Sequence, residues 1–119
     1  MKLIAKFQLD SENKPQFDDD GDHKHYAIEL AIEGAPDDTY AVTYELDESY
    51  YDAIRESKQK GSNFSEEITS YGDYIVKAKV RTQKKVETIA VTLSKALQSS
   101  YANTELKEIK KAVEDIEQN

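Results

Sequence analysis

Two histidines, His23 and His25, stand two residues apart beside Asp18, Asp19, Asp20 and Asp22. In a strand that spacing puts both imidazoles on one face. Imidazole nitrogen with carboxylate oxygen suits a divalent metal, and Asp20, Asp22, His23 and His25 are the ligands such a site would use. An EF-hand loop begun at Asp18 would put Asp20, Asp22 and Glu29 at its third, fifth and twelfth positions. It needs glycine at the sixth, where this chain has His23. The run therefore reads as a solvated acidic loop, and neither metal nor other cofactor is expected. Nucleophilic catalysis has no better footing. The chain lacks cysteine, which removes a thiol nucleophile, a Cys-ligated zinc and a disulfide framework together. No G-x-S-x-G elbow is present, and four glycines leave little for a phosphate loop. The expectation is a protein that is not an enzyme.

The tyrosines carry a different chemistry. In "YAVTYELDESYY" (40–51), Tyr40, Val42, Tyr44 and Leu46 alternate with Ala41, Thr43 and Glu45, the period of a strand with one buried face. Tyr50, Tyr51 and, in "SYGDY" (70–74), Tyr71 fall where alternation has stopped. A flat ring with a polar tip in a turn is suited to recognition, although the same residue often sits half-buried for packing alone.

The elements that must position these residues are mostly strands. Leu3, Ala5, Phe7 and Leu9 alternate, as do Tyr26, Ile28, Leu30 and Ile32, and Tyr74, Val76, Ala78 and Val80. The acidic stretch after Leu9 reads as loop, "GAPDD" (34–38) as a turn, "FSEEIT" (64–69) as a short strand and "TQKK" as a hairpin loop. Residues 47–63 read as irregular or briefly helical. "VETIAVTL" (86–93) fits strand and helix alike; its β-branched content favours a strand to Thr92, followed by a helix through Tyr101. Asn103 is placed to cap a last helix, with Leu106, Ile109, Val113 and Ile116 on one face. Short strands with helices only at the end predict a mainly β fold: a β-sandwich over 1–93 and C-terminal helices over 94–119, packed on it or used for association.

At 119 residues the chain is one domain's worth. Its net charge is −8, from 24 acidic and 16 basic residues, and residues 10–22 hold six acids against one lysine. That balance opposes nucleic acid and favours a lysine- or arginine-rich partner. Lys77, Lys79, Arg81, Lys84 and Lys85 form a basic stripe, expected to be balanced by outward Glu29, Glu33 and Glu45. The apolar residues of "MKLIAKFQLD" are too few and interrupted for a signal peptide or membrane span, so no membrane association is expected. Zero cysteines suit a reducing cytoplasm, and a periplasm equally. Cytoplasmic is the simpler expectation.

From Tyr26 onward the chain resembles the YEATS domain in its prokaryotic form. "HYAIELAIEG", a Pro-containing turn, "YAVTYELDESY" and "SYGDYIVKAKV" follow that family's order, over about residues 25–81. Its signatures are a strand ending V-x-Y-x-L-H-P-[ST]-F and a loop G-[WY]-G-x-[FY]. Val42, Tyr44, Leu46, Ser49 and Tyr50 match the first; Tyr71, Gly72 and Tyr74 match the second. The resemblance implies an immunoglobulin-like β-sandwich whose end-loop aromatics flank an acylated lysine. Tyr50 and Tyr71 would be its walls, Ser49 the hydroxyl donor and Gly72 the backbone approach, while Tyr26, Tyr44 and Tyr74 belong to the core. The chain departs from the pattern where Asp47-Glu48 replaces His-Pro and Ser70 replaces the first glycine. Asp47 places a carboxylate beside an apolar acyl group, which costs desolvation and suits a positive charge better.

The expectation is thus a recognition or adaptor module for a protein or peptide, in the bacterial signalling and conflict systems that the resemblance suggests. Two alternatives come from other classes. One is an assembly protein that forms a homodimer through Leu106, Ile109, Val113 and Ile116; the other is a metal-responsive sensor using the Asp/His loop.

Overall fold

The computed structural model describes residues 1–119 as two antiparallel sheets with a helical layer at one side. The first sheet is organised by β3 (Lys24–Glu33), whose Tyr26, Ile28, Leu30 and Ile32 point inward and are all nearly or fully buried. β1 (Lys2–Phe7) and β2 (Phe17–Asp19) lie in line along one edge of β3, and β6 (Glu66–Ser70) pairs the other. The second sheet runs β5 (Ile54–Ser57), β4 (Thr39–Glu45), β7 (Ile75–Thr82), β8 (Val86–Thr92). Inward Val42, Tyr44, Val76, Ala78 and Val80 meet the first sheet's apolar face in one continuous core. This is the expected mainly β sandwich with helices after it.

The ambiguous 86–93 segment divides as its composition suggests: strand to Thr92, then α1 (Leu93–Ser100). α1 packs on β1 and β8 and buries Leu93, Ala96 and Leu97. α2 (Lys107–Gln118) buries Ile109, Ala112, Val113 and Ile116 in the same core. The stripe offered to a second copy is therefore largely used within the chain. Of its four residues, only Leu106 stays exposed, at 44%. Leu106 itself, not Asn103, occupies the cap position of α2, so the expected Asn103 cap does not form. Two hydroxyls tie the helices down. Tyr101 stacks on Phe7 (5.7 Å, 19°) and accepts its N–H at 2.9 Å, and the Tyr26 hydroxyl donates to Asp115 Oδ2.

Several local expectations change. Tyr40 is half exposed because the β4–β7 register shifts between Thr39 and Ala41, rotating it off the buried face. β2 and β5 are strands where loop or helix was expected; each is a short edge strand held by hydrogen bonds, with no apolar inward set to announce it. The basic stripe lies on β7 and the turn after it, yet Glu29 and Glu33 belong to the other sheet and cannot balance it. Glu45 does, with Lys79 at 3.2 Å.

Phe64 enters the core by an unusual route. It and Asn63 both adopt left-handed backbone, at φ of 58° and 57°, and Phe64 is 2% exposed. A bulky residue in that region costs about 1–3 kcal/mol. The surroundings hold it: the Ile32 N–H donates to the Asn63 carbonyl at 2.9 Å, and the buried Tyr44 hydroxyl donates to the Phe64 carbonyl at 2.7 Å. Tyr44→Phe leaves that carbonyl without its donor, at a cost of about 1–3 kcal/mol. Urea unfolding should show a lower midpoint with an unchanged slope; an unchanged midpoint would show that the Phe64 turn does not depend on this bond.

Candidate functional site

The β4–β5 turn (46–53) and the β6–β7 turn (71–74) emerge at the same end of the sandwich, beside the start of β3. Between them lies a cleft of about 320 Å³. Asp47, Ser49, Tyr50, Tyr71 and Gly72, the five residues singled out from the sequence, all line it. Tyr51 does not: it stands fully exposed on the next position of the turn. Pattern reading missed the contributions of Asp73 and Asn119, and it assigned Tyr74 wholly to the core, although Tyr74 also forms part of the cleft wall.

Each wall has its own anchor. The Tyr50 hydroxyl donates to the Thr69 carbonyl at 2.6 Å and accepts from the Tyr74 hydroxyl at 3.0 Å, while the two rings meet edge to face (5.5 Å, 62°). Burial first, and the bond to Tyr50 second, push the Tyr74 phenol far above its ordinary value. Tyr71 is held from another side. Its ring lies parallel to the His23 imidazole at 4.4 Å and edge-on to His25 at 5.2 Å. The histidines flagged as metal ligands thus buttress an aromatic. His25 Nε2 also meets Asp20 Oδ2 at 2.8 Å, and Asp20 Oδ1 accepts the N–H groups of Asp22 and His23 at 2.9 and 2.8 Å. No group of three or more His, Asp or Glu side chains converges as metal ligands. The Asp20, Asp22, His23 and His25 set is assembled as a turn and an aromatic support.

The "SYGDY" turn is fixed at three points. The Ser70 hydroxyl donates to the Gly72 carbonyl at 2.7 Å, and the Gly72 N–H returns to Ser70 Oγ at 3.3 Å. Serine thus closes the turn where the family has glycine. A Cβ on Gly72 would sit 2.9 Å from the Asn119 backbone, so the position has no room for a side chain. Asp73 caps α1 from outside the helix, accepting the Ser94 N–H at 2.9 Å and the Ser94 hydroxyl at 2.6 Å. Thr92, at the helix's own cap position, makes no such bond. Across the cleft, Asp47 Oδ2 accepts the Ser49 N–H at 3.0 Å. The Ser49 hydroxyl, and after it this N–H, hold the Asp47 carboxyl below its usual range.

The sequence matches the family model of the prokaryotic YEATS domain over residues 26–94, more than half of the chain and all of both cleft turns. No curated protein sequence matches it. Among solved structures it is similar to the Yaf9 YEATS domain recognising an H3K122suc peptide, with a TM-score of 0.50 at 17% identity. The alignment covers 76% of this chain and 67% of that one. At that identity the likeness speaks for the fold.

Removing the Asp73 carboxylate should destabilise the protein by about 0.5–2 kcal/mol, the usual effect of losing a helix cap. Chemical denaturation of Asp73→Ala measures it, and no change would mean that Ser94 finds another acceptor. The acidic turn gives a pH signature. Asp20 is held well below its ordinary 3.8, first by the His23 N–H, then by the His25 ring and the Asp22 N–H. A lowered folded value means that its contribution is complete above the ordinary value and disappears on acidification below it. The melting-temperature gap between wild type and Asp20→Asn should therefore be widest at neutral pH and close as the solution is acidified. A gap that widens toward acid would contradict the assignment.

Proposed function

The chain belongs to the prokaryotic YEATS family, and on that premise we propose that it is a non-enzymatic recognition module holding a lysine-containing peptide in the end cleft. The observation that carries this reading is convergence. Asp47, Ser49 and Tyr50 leave one sheet and Tyr71 and Gly72 join the other to it, yet a single cleft collects all five. A concavity with aromatic walls and a few placed polar groups is the common form of a ligand site. Its walls are ordered in advance, Tyr50 by two hydroxyl bonds and Tyr71 by the His23 stack, so binding spends little on arranging them. The structural neighbour is described as recognising an H3K122suc peptide. By analogy, a lysine side chain would enter here beside Tyr50 and Tyr71.

The surface charge supports a basic partner. At −8 the protein attracts lysine-rich segments over a Debye length. No helix is long and apolar enough to cross a membrane. We assign the module to a cytoplasmic bacterial assembly, of the signalling or immunity kind that the family's prokaryotic members suggest.

Calorimetry tests the reading with peptides bearing one lysine in free, methylated, acetylated or succinylated form, each beside a copy with alanine at that position. At least one lysine form should bind, and its alanine copy should not. Tyr71→Ala, which removes a partly exposed ring, should keep the wild-type circular dichroism and lose about tenfold or more in affinity. Equal binding of the alanine copies, or an unaffected Tyr71→Ala, would overturn it.

A further inference from the structure

Building on the reading of the end cleft as a lysine-side-chain site, we propose that it selects a cationic head, an alkylammonium such as free or methylated lysine, over acyl-lysine, with Asp47 as the specificity-determining residue. Hydrogen-bonding polarity bears on the choice first. An acyl carbonyl is an acceptor and needs donors from the cleft. Three of the donors placed there are already engaged inside the protein. The Ser49 N–H donates to Asp47, the Gly72 N–H to Ser70 Oγ, and the Tyr50 hydroxyl to the Thr69 carbonyl. The Ser49 hydroxyl, which would otherwise serve a carbonyl, lies under the influence of the Asp47 carboxylate. A ligand that donates and carries positive charge leaves every one of these bonds intact.

Charge acts in the same direction. Two carboxylates, Asp47 and Asp73, line the cleft, and no lysine or arginine does. Asp73 is spoken for: both its oxygens accept from Ser94 at the start of α1. Asp47 is not. Its partners are the neutral N–H and hydroxyl of Ser49 alone, the N–H at Oδ2. The strand after this turn carries one cation, Arg55. It is turned instead to Glu66 at 3.4 Å and to the carbonyls of Asp52 and Glu67 at 2.8 and 3.0 Å. Asp47 therefore presents an uncompensated carboxylate to a concavity built from Tyr50, Tyr71 and Tyr74.

The rings themselves are the third factor. Aromatic faces carry negative potential and attract ammonium groups, most of all alkylated ones that shed water cheaply. An anionic acyl group such as succinyl would meet the opposite: aromatic faces and a carboxylate of its own sign, with no lysine or arginine to receive it. The Asp47-Glu48 replacement of the family's His-Pro thus changes what the cleft accepts while leaving its aromatic frame in place.

Two readouts test this together. Calorimetry on one peptide with lysine free, trimethylated, acetylated or succinylated should show the cationic forms binding about tenfold or more tightly than the acetylated form, with the succinylated form weakest. Asp47→Asn should reduce that preference, whereas Tyr71→Ala should weaken every form. In parallel, NMR titration with tetramethylammonium chloride should shift the tyrosine ring signals in wild type and less in Asp47→Asn. Tighter binding of the acetylated or succinylated peptide overturns the selectivity and leaves the reader function standing. Ring shifts by tetramethylammonium that depend on Asp47, without binding of any peptide, keep the cation site and remove the peptide reading. If neither probe acts on the cleft, both fall.

Discussion

The carboxylate of Asp73 ties the cleft end of the molecule to its helices. It sits two residues after Tyr71 and one after Gly72, and its two oxygens close the start of α1 through Ser94. The exposed Tyr71 ring therefore hangs from a turn that cannot move without uncapping a helix. α1 in turn packs on β1 and β8 and against α2. The β6–β7 turn would be a mobile tip in a bare sandwich; here it is part of a framework that runs through the core. Rigidity of that kind suits a site whose aromatic walls must keep their spacing without a ligand between them.

The helical layer has a second consequence. Ile109, Ala112, Val113 and Ile116 complete the core that the two sheets begin, and the Tyr26 hydroxyl reaches Asp115 across that boundary. Burial, and after it the Asp115 carboxylate, raise the Tyr26 phenol far above its ordinary value, so it remains a donor to that carboxylate. β3 thus joins its own sheet to the helices: β1 and β2 along one edge, β6 along the other, and α2 through one of its inward side chains. The same strand begins at the histidines behind Tyr71. Core and cleft are consecutive stretches of one strand.

Much of this was legible in the residues, and the part that was not has a common cause. Strands with an apolar inward set, β1, β3, β4 and β7, declare themselves by period two. β2 and β5 do not, because edge strands are held by backbone hydrogen bonds and need no inward apolar row. Tyr40 obeyed the alternation and still lies outside, since a register shift is a property of the partner strand as well. At the site, the short motifs located Tyr50, Tyr71, Ser49, Gly72 and Asp47 because both turns keep a recognisable local form. Asp73 and Asn119 were invisible: their roles depend on Ser94 and Gly72, neighbours made by the fold. The histidines were noticed as weak metal candidates, and the structure sets them against an aromatic ring. Their spacing did put them together, but the missing fact was the ring of Tyr71 in front of them.

The support of Tyr71 by the histidines accounts for the charge pattern at the rim. Asp20 draws on His25 and on two backbone N–H groups, so the acid nearest the histidines is internally satisfied and holds the support of Tyr71 in place. Asp73 is satisfied by α1. Acids in this region thus divide by partner: Asp20 and Asp73, with both oxygens engaged, build the frame, and Asp47, met only by Ser49, is left to act outward. Coulomb attraction from a group at the rim is weakened by water but directional, because the aromatic walls restrict where a cation can approach. A carboxylate in such a place costs little while the cleft is hydrated and becomes expensive once an apolar group displaces the water. The substitution that distinguishes this turn from the family pattern therefore acts against a neutral occupant more strongly than it acts for a charged one, and discrimination of that kind is what a specificity determinant supplies.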